Sequence, residues 1–175
     1  MVAGERDEEF RAFAVARTGQ LYRTACLLTG GDTHLAEDLV QEALGRVFAQ
    51  WHRTGWFAKR SRIENPAGYA HTVLVRVFLS HRSRRSSAER PVEAVPEWPA
   101  GEADPALRLT LVEALGRLGP QDRAVLVLRY WEDRSVEETA AVLQSSSGAV
   151  RTRTTRALGR IRAVLGESLG ELAGR

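Results

Sequence analysis

SVEETAAVLQSSSGAVRTRTTRALGRIR, residues 135–162, decides how this chain is read. Ser135 stands three residues before Glu138, the spacing of a capping box that opens a helix. Val136, Ala140 and Leu143 then fall on one side of a short helix, a polar turn follows, and a long helix studded with arginine begins near Ser147. The pattern is a helix-turn-helix with a basic second helix. On a helical wheel Val150, Thr154, Ala157, Leu158, Ile161 and Leu165 share the side that faces a core, while Thr152, Arg153, Arg156 and Arg160 share the other. Five arginines lie between Ser147 and Arg162 with no acid among them, so the helix does not pair its own charges, and a polyanion is its natural partner. The competing reading is a merely solvated outer face. The capping box and the apolar helix packed behind favour DNA over it.

Outward from this stretch, the chain of 175 residues is long enough for one sizeable domain or two small ones. It contains no apolar run long enough to cross a membrane, and its acidic start from Glu5 to Glu9 is unlike a signal peptide, so a cytoplasmic location is expected. Cys26 is the single cysteine, which excludes an internal disulfide and a cysteine-based zinc site. It reads as a small core residue in the apolar run Leu21 to Leu28. Lys59 is the only lysine; the bias to arginine reflects a GC-rich genome more than a function.

The net charge of +3 conceals segregation. Residues 1–51 carry five bases and eight acids, residues 52–85 eight bases and one acid, residues 86–146 six bases and eleven acids, and residues 147–175 six bases and two acids. Two basic blocks, each preceded by an acidic one, point to two separate nucleic-acid contacts.

Helical periodicity and punctuation organise the rest. A first helix spans about Asp7 to Leu28 and stops at Gly30-Gly31; a second starts after Asp32 or Thr33 and reaches about Trp51. Asn65-Pro66 reads as an N-cap with proline at the first helical position, opening a helix through about Ser83 whose Ala70, Val73, Leu74, Val77 and Phe78 face inward. Residues 86–104, SSAERPVEAVPEWPAGEAD, hold three prolines and no sustained apolar pattern, and read as a linker. Beyond it, Leu107, Leu111, Leu115 and Leu118 mark a helix ending at Gly119-Pro120, and another covers about Gln121 to Trp131. The expected fold is all-α: two small helical domains, residues 1–85 and 105–175, joined by a flexible linker, the second containing the helix-turn-helix.

The helix LAEDLVQEALGRVFAQW, residues 35–51, turns Ala36, Val40, Ala43, Leu44, Val47 and Trp51 inward and Asp38, Gln41, Glu42, Gly45 and Ala49 outward. The outer face is flat and polar, open either to solvent or to a basic partner helix. The order of parts, an acidic amphipathic helix, a basic, aromatic-bearing loop at residues 52–65 (HRTGWFAKRSRIEN), a linker and a helix-turn-helix, resembles the two-domain sigma factors of bacterial RNA polymerase, specifically the extracytoplasmic-function (ECF, group IV) sigma factors, over about residues 7–168. The resemblance implies that Asp38, Gln41 and Glu42, with Arg46 as a weaker member, contact core RNA polymerase. It implies that residues 52–85 hold the melted minus-10 element of promoter DNA through Trp56, Phe57, Lys59, Arg60, Arg62, Arg76, Arg82, Arg84 and Arg85, bases stacking on aromatic rings and phosphates meeting cations. Trp56 and Phe57 either do this or close the small core. Ser147, Arg151, Thr152, Arg153 and Arg156 are carried over as minus-35 contacts in the major groove, with Arg160 on the phosphate backbone. Where family members often place glycine after the first helix of the motif, this chain has Gln144, which suggests a looser turn.

An enzyme is disfavoured: there is no HExxH, P-loop or GxGxxG, and His34, His52, His71 and His81 are dispersed with no second metal ligand nearby. No cofactor or metal is expected. The alternative is a stand-alone helix-turn-helix regulator, which would need a dimer interface, and no heptad or exposed apolar helix is evident to supply one. The resemblance further implies an anti-sigma factor as a regulating partner, while promoter sequence, target genes and inducing signal are not legible.

Overall fold

A computed structural model describes residues 3–53, 65–84 and 105–173 of the chain. Among these residues the chain is helical throughout its regular parts: α1 Ala3–Thr29, α2 Thr33–Arg53, α3 Pro66–Arg84, α4 Pro105–Gly116, α5 Pro120–Leu126, α6 Val136–Leu143 and α7 Ser147–Ala173. A π-helical stretch, Val127–Trp131, extends α5. The local causes are those visible in the residues. Gly30 and Gly31 turn the chain at φ +67° and +92°, conformations that cost glycine nothing. The Asp32 carboxylate accepts the Leu35 amide at 2.9 Å, and the Asn65 side-chain oxygen accepts the Gly68 amide at 2.9 Å one residue before Pro66. Residues 86–104, read as the linker, lie outside the described residues.

Helices α1 to α3 pack around Leu21, Leu28, Leu39, Val47, Leu74 and Phe78, all 0 or 1 % exposed. Cys26 sits in this core, where burial pushes its thiol up to about 11 and keeps it protonated at neutral pH. Phe10, Phe13, Phe48 and Trp51 close the far end, with ring centroids 5.0 Å apart for Phe10 and Phe48 and 5.4 Å for Phe13 and Trp51. Helices α4 to α7 bury Val112, Leu115, Val125, Leu128, Val150 and Ala157. Helix α4 stops at Gly116, short of the expected Gly119-Pro120, and its leucine stripe is only partly used: Leu115, and Leu118 just beyond the helix, are buried, whereas Leu107 and Leu111 are 61 and 40 % exposed, so α4 carries exposed apolar residues where none were expected.

The two groups of helices meet in a continuous hydrophobic cluster. Their backbones touch where Gly30 faces Gly116; a β-carbon on Gly30 would come within 2.7 Å of the Gly116 Cα. Several polar side chains buried at this seam find partners across it, which offsets the cost of taking them out of water. Arg123, 3 % exposed, donates to the carbonyls of Leu28 at 2.7 Å, Gly116 at 2.7 Å and Leu118 at 2.9 Å, placing a cation at the negative ends of α1 and α4. Glu132 accepts from Thr24 Oγ1 at 2.6 Å and lies 2.8 Å from His71 Nδ1, while Trp131 Nε1 donates to Thr24 at 3.2 Å. Arg134 donates to the Gly68 carbonyl at 2.9 Å and to Thr72 Oγ1 at 3.3 Å.

Candidate nucleic-acid interface

The helix-turn-helix is built from α6, a turn and α7. Its first helix opens with the full capping box: the Glu138 amide donates to Ser135 Oγ at 3.0 Å, and the Ser135 amide donates to the Glu138 carboxylate at 2.7 Å. Those bonds hold the Glu138 carboxyl below its usual range. At the other end Gln144 takes the left-handed conformation at φ 51° and ψ 47°, and the Ser145 amide donates to the Ala140 carbonyl at 2.9 Å. The turn is therefore as tight as a glycine would make it, not looser; Gln144 accepts the steric cost because the helix end is closed by the backbone bonds around it.

Helix α7 follows the predicted wheel. Val150 and Ala157 are buried at 1 and 0 %, Ile161 at 9 %, and Thr152, Arg153, Arg156 and Arg160 stand on the opposite, exposed side. Those four line a groove whose other wall is Gly119, Pro120, Gln121 and Asp122 at the start of α5. Here the reading of an unpaired arginine face is corrected. Asp122 reaches Arg153 at 3.1 Å and Arg160 at 2.5 Å, and Glu137 reaches Arg151 at 3.3 Å. The acids come from other helices, 14 to 38 residues earlier, so inspecting α7 alone misses them. Ser147 is half-buried at the start of α7.

On α3, Arg76 points away from the apolar stripe as expected, but its Nε donates to the Val142 carbonyl at 3.1 Å and its Nη2 to the Ala141 carbonyl at 3.2 Å. It thus caps the C-terminal end of α6 instead of standing open. Arg84 folds back on Ser80, and Arg82 is half-buried. Trp56, Phe57, Lys59, Arg60, Arg62 and Arg85 lie outside the described residues. On α2, Asp38, Gln41, Glu42 and Arg46 are all exposed, and a β-carbon on Gly45 would meet nothing within 4 Å, which leaves the predicted flat face clear. Glu42 and Arg46 pair at 2.6 Å.

Sequence reasoning overlooked Asp122 and Glu132 and saw His71 only as a dispersed histidine, because their partners are distant in the chain and leave no local signal. Among the described residues no cluster of histidine, cysteine or carboxylate is arranged to hold a metal, and no helix is long and apolar enough to cross a membrane.

A capped helix-turn-helix with a cationic, solvent-facing second helix, carried on an all-helical chain, defines a DNA-binding transcription protein. Comparison with known proteins makes the class specific. Residues 114–163 match the family described as sigma-70, region 4. The chain is 35 % identical over 156 residues to the RNA polymerase sigma-E factor of Streptomyces coelicolor, covering 88 % of this chain and 84 % of that protein. It is 34 % identical over 167 residues to the ECF RNA polymerase sigma factor SigE of Mycolicibacterium smegmatis, covering 88 % of this chain and 60 % of that one. In three dimensions it shares the fold of the sigma factor RpoE from Bartonella quintana, solved in complex with the anti-sigma factor NepR, with TM-score 0.70, 22 % identity, and 91 % of this chain and 98 % of that one covered. The chain belongs to the sigma factors of RNA polymerase, in their extracytoplasmic-function group.

Proposed function

We propose that this sigma factor joins core RNA polymerase through the outer face of α2, with Asp38, Gln41 and Glu42 as principal contacts and Arg46 as a lesser one. It directs initiation by holding promoter DNA at two elements. Ser147, Arg151, Thr152, Arg153, Arg156 and Arg160 on α7 serve the duplex minus-35 element. Arg82 and Arg84, with Trp56, Phe57, Lys59, Arg60, Arg62 and Arg85, serve the melted minus-10 strand, whereas Arg76, held on the end of α6, is set aside as a contact. The observation that carries the reading is the open α7 face: three arginines and a threonine line one groove beside a helix-turn-helix whose supporting helix is capped and packed. Residues 1–85 and 105–175 are the two functional domains, one for each element, with residues 86–104 between them.

The protein is not itself catalytic; it works with the polymerase active site in the cytoplasm. An anti-sigma factor holds it in check, a partner supported by the pairing of the structurally similar RpoE with NepR. Titration of the full chain with core polymerase, followed by transcription from a library of genomic fragments, tests this. One-to-one binding with new, protein-dependent start sites is the expected result. Failure to bind core, together with sequence-specific duplex binding by the free chain, would make it a stand-alone helix-turn-helix regulator.

A further inference from the structure

Asp122 occupies an unusual position for an acid, inside the groove that α7 presents to DNA. Its side chain is 10 % exposed, against 44 % for Arg153 and 62 % for Arg160, so the carboxylate is the anchored member and the arginines are the long arms laid against it. The two arginines are seven residues apart, two turns of one helix, which puts both guanidiniums within reach of a single carboxylate. Arg156, between them in sequence, lines the same groove. One acid therefore offsets part of the charge of two of the three bases at the place where a polyanion is to be bound.

That offset acts selectively. Attraction to phosphates is the sequence-independent part of DNA affinity, and each phosphate neutralised releases counterions. An arginine held on Asp122 gives up that pair before it meets a phosphate, on any DNA. Only a site that also supplies base-edge bonds in the correct register repays the loss, so an internal acid lowers binding to wrong DNA more than to right DNA. We infer that Asp122 is a specificity-setting positioning residue, which holds Arg153 and Arg160 off the phosphate backbone of non-promoter DNA. This rests on the reading of α7 as the DNA-contacting helix, but not on how α2 meets polymerase.

The test is Asp122→Asn in the full chain, a near-isosteric change that removes the charge. Binding to a non-promoter duplex is measured from low to moderate salt, and again for holoenzyme on a promoter fragment and on a scrambled duplex of equal length. The slope of log K against log salt should steepen by about 1 to 2, since two freed arginines add up to two phosphate contacts at roughly 0.9 each. The promoter-to-scrambled ratio should fall by about tenfold. Asp122→Glu, which keeps the charge, should retain the wild-type slope. An unchanged or shallower slope in the Asn variant, an unchanged ratio, or a steepened slope in the Glu variant overturns the inference. If thermal melting shows the Asn variant unfolded, Asp122→Ser takes its place with the same readouts. Core binding is measured alongside: its failure in wild type would count against the α2 assignment and leave the Asp122 result standing.

Discussion

Replacing Arg123 by methionine removes the three donors that join the ends of α1 and α4 while keeping a stem of similar length. Each bond from a charged donor contributes about 1.5–3 kcal/mol, so three give a gross loss of about 5–9 kcal/mol. Two effects return part of it: the guanidinium no longer has to be desolvated, and carbonyls at helix ends recover some hydration. The net cost expected is about 3–5 kcal/mol, the usual range for breaking a buried charged arrangement from one side. For a chain of this size each kcal/mol moves the midpoint by roughly 2–4 °C, so the melting temperature should drop by about 6–20 °C. Thermal unfolding followed by far-ultraviolet circular dichroism, with urea unfolding as a second measure, reads it. Arg123→Lys should fall between, because one ammonium keeps the charge at the helix ends but lacks the forked reach to three carbonyls. A loss below about 1 kcal/mol in the methionine variant would refute the reasoning, since it would mean that the Leu28, Gly116 and Leu118 carbonyls do not depend on Arg123.

Four further outcomes are expected. Alanine at Asp38, Gln41 and Glu42 together should weaken core-polymerase binding with the melting temperature nearly unchanged, because all three are exposed; a co-sedimentation assay that finds core binding intact would reject the assignment. Alanine at Arg153 and Arg156 should spare core binding and erode promoter choice, at about 1–3 kcal/mol for each base-edge interaction removed, as read by competition between promoter and scrambled duplexes. Gln144→Gly should stabilise the chain by about 1 kcal/mol, because glycine takes the left-handed conformation without the β-carbon clash, and a destabilised variant would contradict the observed turn. For Glu132, burial alone would raise the carboxyl, but hydrogen bonds from His71 and Thr24 and the charges of His71 and Arg134 outweigh it and hold the group below its usual 4.5. A lowered folded-state value means the stabilisation is present above that pH and disappears as pH falls through the folded-state value, so Glu132→Gln should flatten the acid limb of a urea-midpoint profile; parallel acid limbs in the two proteins would exclude it.

The sequence by itself determined what local chemistry decides. Helix ends at Asp32, Asn65 and Ser135 follow from side chains that bond amides two or three residues on, and from glycine and proline placed where a helix cannot continue. The buried sides of α2, α3 and α7 follow from a period of 3.6, and the resemblance to sigma factors follows from the order in which those helices appear. The exposed α2 face and the basic side of α7 were legible for the same reason. Tertiary structure alone decided which charges are paired. Asp122 meets Arg153 and Arg160, Glu132 meets His71, and Arg76 lies against Val142 and Ala141, each across 31 or more residues of chain. Ionic and hydrogen-bond partners of that kind carry no sequence period, because the distance between them is set by how helices pack and not by their separation along the backbone.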